Sequence, residues 1–317
     1  MSPLSFAKKR VLIAGGLGFI GSSLARRLDD LGAAVTLVDS LAPEQGGNTF
    51  NIRGLESRVN VSVSDVRDER IFASLIGGKD YLFNLVGQTG QTESMQEPLS
   101  ILEACRRHNP GVKIVFAGAR QVYGKPRYLP VDEKHPLQPV DVSGVHKLAG
   151  ENYHAVYRNA YGIRNCVLRL TNTIGPRMRV KDARQTFVGL WLRLLLEGKP
   201  IPVWGGRQLR DFTYIDDAVE AFLLAAASAK ADGEVFNLGG CGHLSLKDLG
   251  ALLVKIHGKG GLLLQPYPPE QEPTEIGDYY ADFSKIKTAL GWRPKTALPE
   301  ALDATLVFYK ENLGHYL

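Results

Sequence analysis

The sequence predicts an α/β chain: a doubly wound parallel sheet with a smaller mixed α/β segment after it. Three observations carry this. Six short apolar runs, at 11–14, 34–38, 59–63, 81–86, 113–117 and 165–170, are bounded by glycine or polar turns. Runs so short and so continuously apolar suit strands covered on both faces, as parallel strands are. Segments at 19–31, 70–75, 98–108 and 143–161 separate them and carry apolar residues at helical spacing. The alternation then loosens after residue 172, with a helix at 186–197, a strand at 201–203, a helix at 216–229 and a strand at 234–238. This divides the chain into residues 1–172, with 212–243 returning to them, and a second unit of 173–211 and 244–317. The proline-rich stretch 123–142 suits a surface loop beside a site.

Composition bounds the function. A chain of 317 residues, 44% hydrophobic and 22% charged, is globular material for one large domain or two modest ones. The net charge of +5, from 38 basic and 33 acidic residues, is scattered apart from Lys8-Lys9-Arg10. Nucleic acid is therefore not an expected partner, and attraction to a phosphorylated small ligand accounts for the balance equally well. Cys105, Cys166 and Cys241 lie far apart, with no histidine at metal spacing, so neither a disulfide framework nor a metal site is expected. A reducing cytoplasm fits best. No apolar window approaches the ~18 residues of a membrane span, and no signal core precedes Val11, so no membrane partner is expected.

The first strand and helix are joined by Gly15, Gly18 and Gly21 at GxxGxxG spacing. In such a βαβ unit the first glycine makes the tight turn and the second admits a pyrophosphate to the helix N-terminus. The third lets helix and strand pack closely. Phe19 and Ile20 open the helix between them. The next strand ends in Asp39, about 20 residues on, where a carboxylate accepts bonds from ribose hydroxyls and repels a 2′-phosphate. The unit reads as a Rossmann-type site for NAD rather than NADP. Asp65 and Val66, after the third strand, either meet the adenine edge or belong to a plain loop.

Taken together, these residues, Val122-Tyr123-Gly124, Lys147 to Glu151, Leu168 to Pro176, Arg210 to Asp217 and Leu290-Gly291-Trp292 resemble the extended short-chain dehydrogenase/reductase family over nearly the whole chain. The resemblance is to its nucleotide-sugar epimerases and dehydratases. It implies a Rossmann domain holding NAD and a smaller C-terminal domain closing over a nucleoside diphosphate sugar. Arg210 matches the family's diphosphate-binding arginine, Asn172 an asparagine that bonds the diphosphate sugar, and Tyr214 falls in the same substrate-binding block. Gln88 matches a position near the sugar or nicotinamide. A second arginine of the family is here Glu275, ahead of Gly277-Asp278, so the substrate grip is expected to differ.

The family's chemistry uses a tyrosine acid/base, a lysine four residues later and a Ser or Thr hydroxyl. Lys147 is present, but Ser143 holds the tyrosine position and Ala119 that of the hydroxyl. A methyl cannot hydrogen-bond, and an aliphatic alcohol is a far weaker acid than phenol. Each general acid/base group is worth roughly 10² to 10⁴ in rate, so ordinary 4-keto chemistry should be slow unless another group substitutes. Tyr123 and His146 are the nearby candidates, and Arg120 and Gln121 stand where the dehydratase branch carries an acid pair. About a dozen residues, three to four helical turns, are also missing after Pro98, from a helix the family uses in its dimer. A homodimer is thus possible but weakened. Three readings follow: an NAD-dependent nucleotide-sugar epimerase, of UDP-glucose 4-epimerase type, with a degraded catalytic set; a dehydratase or reductase variant; and a catalytically silent protein binding NAD and a nucleotide sugar.

Overall fold

A computed structural model describes residues 5–43, 45–87, 96–183, 186–269 and 272–317. Strand β1 (Arg10–Ala14) shows why its apolar run is continuous. Val11 and Ile13 enter one core with Leu24, Leu28 and Phe222, while Leu12 and Ala14 enter another with Phe72, Ile101 and Tyr157. Both faces are covered, so no position alternates to polar. The same logic shapes β2 (Ala34–Asp39), β4 (Tyr81–Asn84), β5 (Lys113–Ala119) and β6 (Asn165–Leu170), whereas β3 (Asn60–Val63), at the edge of the sheet, leaves Val61 and Val63 exposed. Two short strands, β7 (Asn172–Ile174) and β8 (Ile201–Trp204), precede β9 (Leu209–Tyr214) and β10 (Val235–Asn237).

Among the described residues the main sheet has seven strands in the order β10-β6-β5-β4-β1-β2-β3, all parallel. The doubly wound prediction holds, and β10 returns to this sheet from beyond residue 212. Strand order reverses between β1 and β4, and in open α/β sheets the crevice at such a reversal takes the ligand at the carboxyl ends of the strands. The helices α1 (Phe19–Asp30), α2 (Glu69–Ile76), α3 (Gln96–His108) and α4 (Val142–Tyr161) fall within two residues of their expected bounds. So do α5 (Phe187–Leu196) and α6 (Ile215–Ala227).

The remaining chain contributes β11 (His243–Ser245), α7 (Leu246–His257), β12 (Leu262–Gln265), α8 (Ser284–Leu290) and α9 (Leu298–Asn312). Strand β9 pairs antiparallel with β11 and parallel with β7, and β8 pairs with β12. Strands β8 and β10 answer the two expected at 201–203 and 234–238, whereas β7, β9, β11 and β12 are not among the expected strands. The stretch after Tyr123 is irregular as expected, pinned by a single bridge between Val131 and Ala281.

Gly21 fixes how α1 meets the sheet. A Cβ there would lie 2.2 Å from the Gly15 carbonyl oxygen, a backbone atom with nowhere to go. Overpacking of this kind costs ~1–3 kcal/mol. Gly21→Ala is expected to lower the melting temperature by several degrees and to weaken NAD binding. Thermal melts and a cofactor titration check this, and unchanged values in both would show that the turn yields freely.

Candidate active site

One cavity of about 660 Å³ runs along the carboxyl ends of the strands. Its first end is the glycine turn. Gly15, Gly18, Phe19, Ile20 and Gly21 line it, and no side chain caps the N-terminus of α1. The first-turn amides of that helix are therefore free to meet phosphate oxygens. Asp39 lines the same end and is half-buried. Its carboxylate accepts from Leu17 N at 3.0 Å and Leu41 N at 3.0 Å, which ties the glycine turn to the end of β2. Burial raises its pKa, the two amides opposing the shift. Asp65 and Val66 also line the cavity, but Asp65 is clamped by Arg67, with Nη2 to Oδ2 at 2.5 Å. That bond holds its carboxyl below the usual range.

These residues fit NAD: an uncapped helix N-terminus, a glycine cradle that a Cβ would fill, and a carboxylate at the ribose position. Asp39→Ala is expected to cut the preference for NAD over NADP by about tenfold or more, since like-charge juxtaposition costs several kcal/mol. The ratio of the two dissociation constants is the measurement. An unchanged ratio would show that Asp39 serves only the loop.

The middle of the cavity holds Ala119, Ser143 and Lys147. Four residues apart on α4, Ser143 and Lys147 share a helix face. Lys147 Nζ donates to the Ala117 carbonyl at 2.9 Å and lies 5.2 Å from the centre of the Phe116 ring. Gly87 makes room for it: a Cβ there would stand 2.5 Å from Nζ. Burial pushes the Lys147 pKa down to about 8, with Glu151 and Glu97 opposing. Gln88 lies outside the described residues. His146, next to Lys147, does not line the cavity.

Tyr123 is a correction. Its ring is fully buried outside the cavity, its hydroxyl donating to Asn237 Oδ1 at 2.7 Å and accepting from Arg169 Nη1 at 2.8 Å. Arg169 in turn is paired with buried Glu151 at 2.7 Å. Burial above all raises the phenol to about 12. A phenol so enclosed cannot exchange a proton with a ligand, and its role is structural.

The substrate end departs from expectation in two residues. Asn172 lines the cavity, its Nδ2 donating to the Asp211 carbonyl at 3.1 Å. Arg210 and Tyr214 do not line it. Arg210 is buried, donating to the Gly277 carbonyl and, at 3.0 Å, to Glu275 Oε1. Glu275 also accepts from the Tyr267 hydroxyl, and Tyr267 is a cavity residue. Arg210 thus sits one layer behind the wall, neutralised by the very carboxylate that replaces the family's second arginine. Tyr214 is half-buried at the entrance to α6, packed near Gly175.

Sequence reasoning missed Trp204 and Tyr267, which line the far part of the cavity with ring centres 6.0 Å apart. The parallel register of β8 and β12, which sets Gln265 against Trp204, brings them together. The glycine pair Gly205-Gly206 after β8 was the available signal of a turn at a site. Among the described residues no group of His, Cys, Asp or Glu could hold a metal, and no helix is long and apolar enough to cross a membrane.

A parallel sheet with a glycine turn, an acid at the end of β2 and a lysine on α4 defines a dinucleotide-dependent α/β protein of the short-chain type. Residues 11–239 match the NAD dependent epimerase/dehydratase family, and the chain belongs to that family. It is 28% identical to the UDP-glucose 4-epimerase of Mycolicibacterium smegmatis, across 96% of this chain and 99% of that one. The Thermotoga maritima UDP-glucose 4-epimerase, solved with UDP-glucose, superposes with a TM-score of 0.85 at 28% identity, covering 96% and 99% of the two chains. The Bacillus cereus UDP-glucuronic acid 4-epimerase, solved with UDP-glucuronic acid and NAD, gives a TM-score of 0.84 at 28% identity, covering 95% and 99%.

Proposed function

We infer that the chain is an NAD-dependent nucleoside-diphosphate-sugar epimerase in which Lys147 moves the proton that a tyrosine moves elsewhere in the family. The observation that carries this is the continuity of one cavity. It joins Asp39 and the glycine turn to Lys147 and Ser143, and these to Asn172, Trp204 and Tyr267. Bound NAD supplies reversible hydride acceptance from a carbinol carbon. Lys147 Nζ, with its pKa near 8, takes the hydroxyl proton as that carbon is oxidised and returns it after the ring presents its other face. Ser143 is placed on the same helix face to pass that proton. Asn172 and the aromatic pair hold the nucleotide portion, and Ala119 supplies no bond to the sugar oxygen.

A dehydratase is disfavoured by Arg120, a cavity residue in the acid's place that donates no proton at neutral pH. The silent-binder reading is favoured by one observation, the sequestration of Tyr123. The proposal includes a cytoplasmic protein and a homodimer through α3 and α4. Exposed Leu99, Val145 and Val156 support that face, and the 13-residue α3 beside the 20-residue α4 keeps the contact small.

The test is incubation of the purified protein with UDP-glucose, UDP-galactose and their N-acetyl and uronic relatives, following sugar inversion and transient absorbance of reduced nicotinamide. Slow inversion of at least one is expected. Saturable binding with no inversion would transfer the argument to the silent binder.

A further inference from the structure

We propose that Arg120 binds a carboxylate of the substrate, so that the sugar taken by this cavity is a uronic acid, carrying –COO⁻ where a neutral hexose carries –CH₂OH. This rests on the reading of the cavity as a nucleotide-sugar site. The relatives described above divide between glucose and glucuronic acid, so the choice turns on this chain's own residues.

Arg120 directly follows β5 and lines the cavity beside Ala119 and Ser143. Those are the two positions at which the resemblance puts groups on the sugar oxygen, so the guanidinium stands at the sugar. The two buried arginines among the described residues are ion-paired, Arg169 with Glu151 and Arg210 with Glu275, while half-buried Arg177 reaches the Ser23 hydroxyl away from the cavity. Arg120 instead lies 5.3 Å from the centre of the Tyr279 ring and makes no ion pair or hydrogen bond with the described residues. The acid that it feels most strongly is Asp211, whose carboxylate is already engaged by the Thr171 hydroxyl and, at 3.1 Å, by Ala281 N. Burial first and then the neighbouring Arg210 lower its pKa, and the carboxylates of Asp211 and Asp141 oppose the shift only in part.

A guanidinium has five donors in a planar fork that matches a carboxylate bidentately. A hydroxymethyl group would leave the guanidinium without a direct ion-pair partner in a sheltered wall, while a carboxylate supplies one with two acceptors. Bonds to charged groups are the stronger class, and stranding one partner is costly. The charge therefore acts as a selector, rewarding the acid and penalising the neutral sugar.

Calorimetric titration of the NAD-incubated protein with UDP, UDP-glucose and UDP-glucuronic acid tests this in wild type, Arg120→Met and Arg120→Lys. Wild type is expected to bind the uronate at least about tenfold tighter than UDP-glucose, about 1.4 kcal/mol. Arg120→Met should abolish that preference while leaving UDP and UDP-glucose within about twofold, and Arg120→Lys should keep part of it. Equal wild-type affinity for the two sugars would overturn the proposal. So would an equal loss on all three ligands in Arg120→Met, which would assign the arginine to the diphosphate. If UDP-glucose binds and the uronate does not, the proposal alone fails; if neither sugar binds, the nucleotide-sugar reading fails with it.

Discussion

Lys147→Met is expected to lower kcat by at least ~10²-fold while changing KM for the nucleotide sugar severalfold at most. Methionine keeps an unbranched stem against Phe116 but loses the ammonium, its bond to Ala117 and its proton. The loss should therefore fall on the chemical step rather than on the fold, which a melting curve within a few degrees of wild type would verify. The pH profile supplies the sign. An amine acting as base must be deprotonated, so wild-type kcat/KM should rise with pH through an apparent pKa of about 8 and level off above it. The residual activity of Lys147→Met should lack that limb. A rising limb that survives the substitution would mean that another group takes the proton. A large rise in KM with kcat intact would confine Lys147 to holding the cofactor ribose.

How much of this was legible in sequence depends on how far apart the cooperating residues lie. The glycine turn and Asp39 span fewer than thirty residues, and their constraints are local: a close approach at Gly21 and a carboxylate at a strand end. Lys147 and Ser143 were legible through the family resemblance, and helical spacing then puts the two on one face of α4. Arg210 was misplaced because its surrounding motif is intact while its partner, Glu275, is 65 positions away. That residue was seen as a departure, but not that it would close on Arg210. Tyr123 is held by Asn237, 114 positions on, and by an arginine whose charge Glu151 balances. The missed strands β7 and β11 have three residues each, too short for alternation to register, and β12 is a Leu-Leu-Leu-Gln run on which a period of two cannot be seen. Trp204 and Tyr267 become neighbours only through the β8–β12 pairing, a tertiary fact of which Gly205-Gly206 marks the turn but not the partner.

Ser143→Tyr combined with Ala119→Thr should raise the rate of sugar inversion at least about tenfold. The two positions face the same cavity from α4 and the end of β5, with Lys147 one helical turn beyond residue 143. A phenol at 143 would lie on the same helix face as the Lys147 ammonium, which favours phenolate and draws its pKa toward the working range. A threonine hydroxyl at 119 would supply the bond to the sugar oxygen that Ala119 withholds. The first turn of α4 cannot retreat to accommodate the ring, because Gly144 packs so closely on Gln121 that even a Cβ there would stand 2.6 Å from its carbonyl oxygen. The ring must therefore enter the cavity. Ala119→Thr alone should give less than the pair, and the excess of the double variant over the product of the singles measures their coupling. The gain is set well below the full ~10²–10⁴ of a general acid/base because Lys147 must share its donors with Ala117. An unchanged rate, with NAD and nucleotide sugar still bound and the melting curve preserved, would argue that this cavity holds its ligands without the family's proton chemistry. In that case the low pKa of Lys147 is a consequence of burial alone, and Tyr123, locked between Asn237 and Arg169, marks a chain that keeps the fold of an epimerase for the sake of binding.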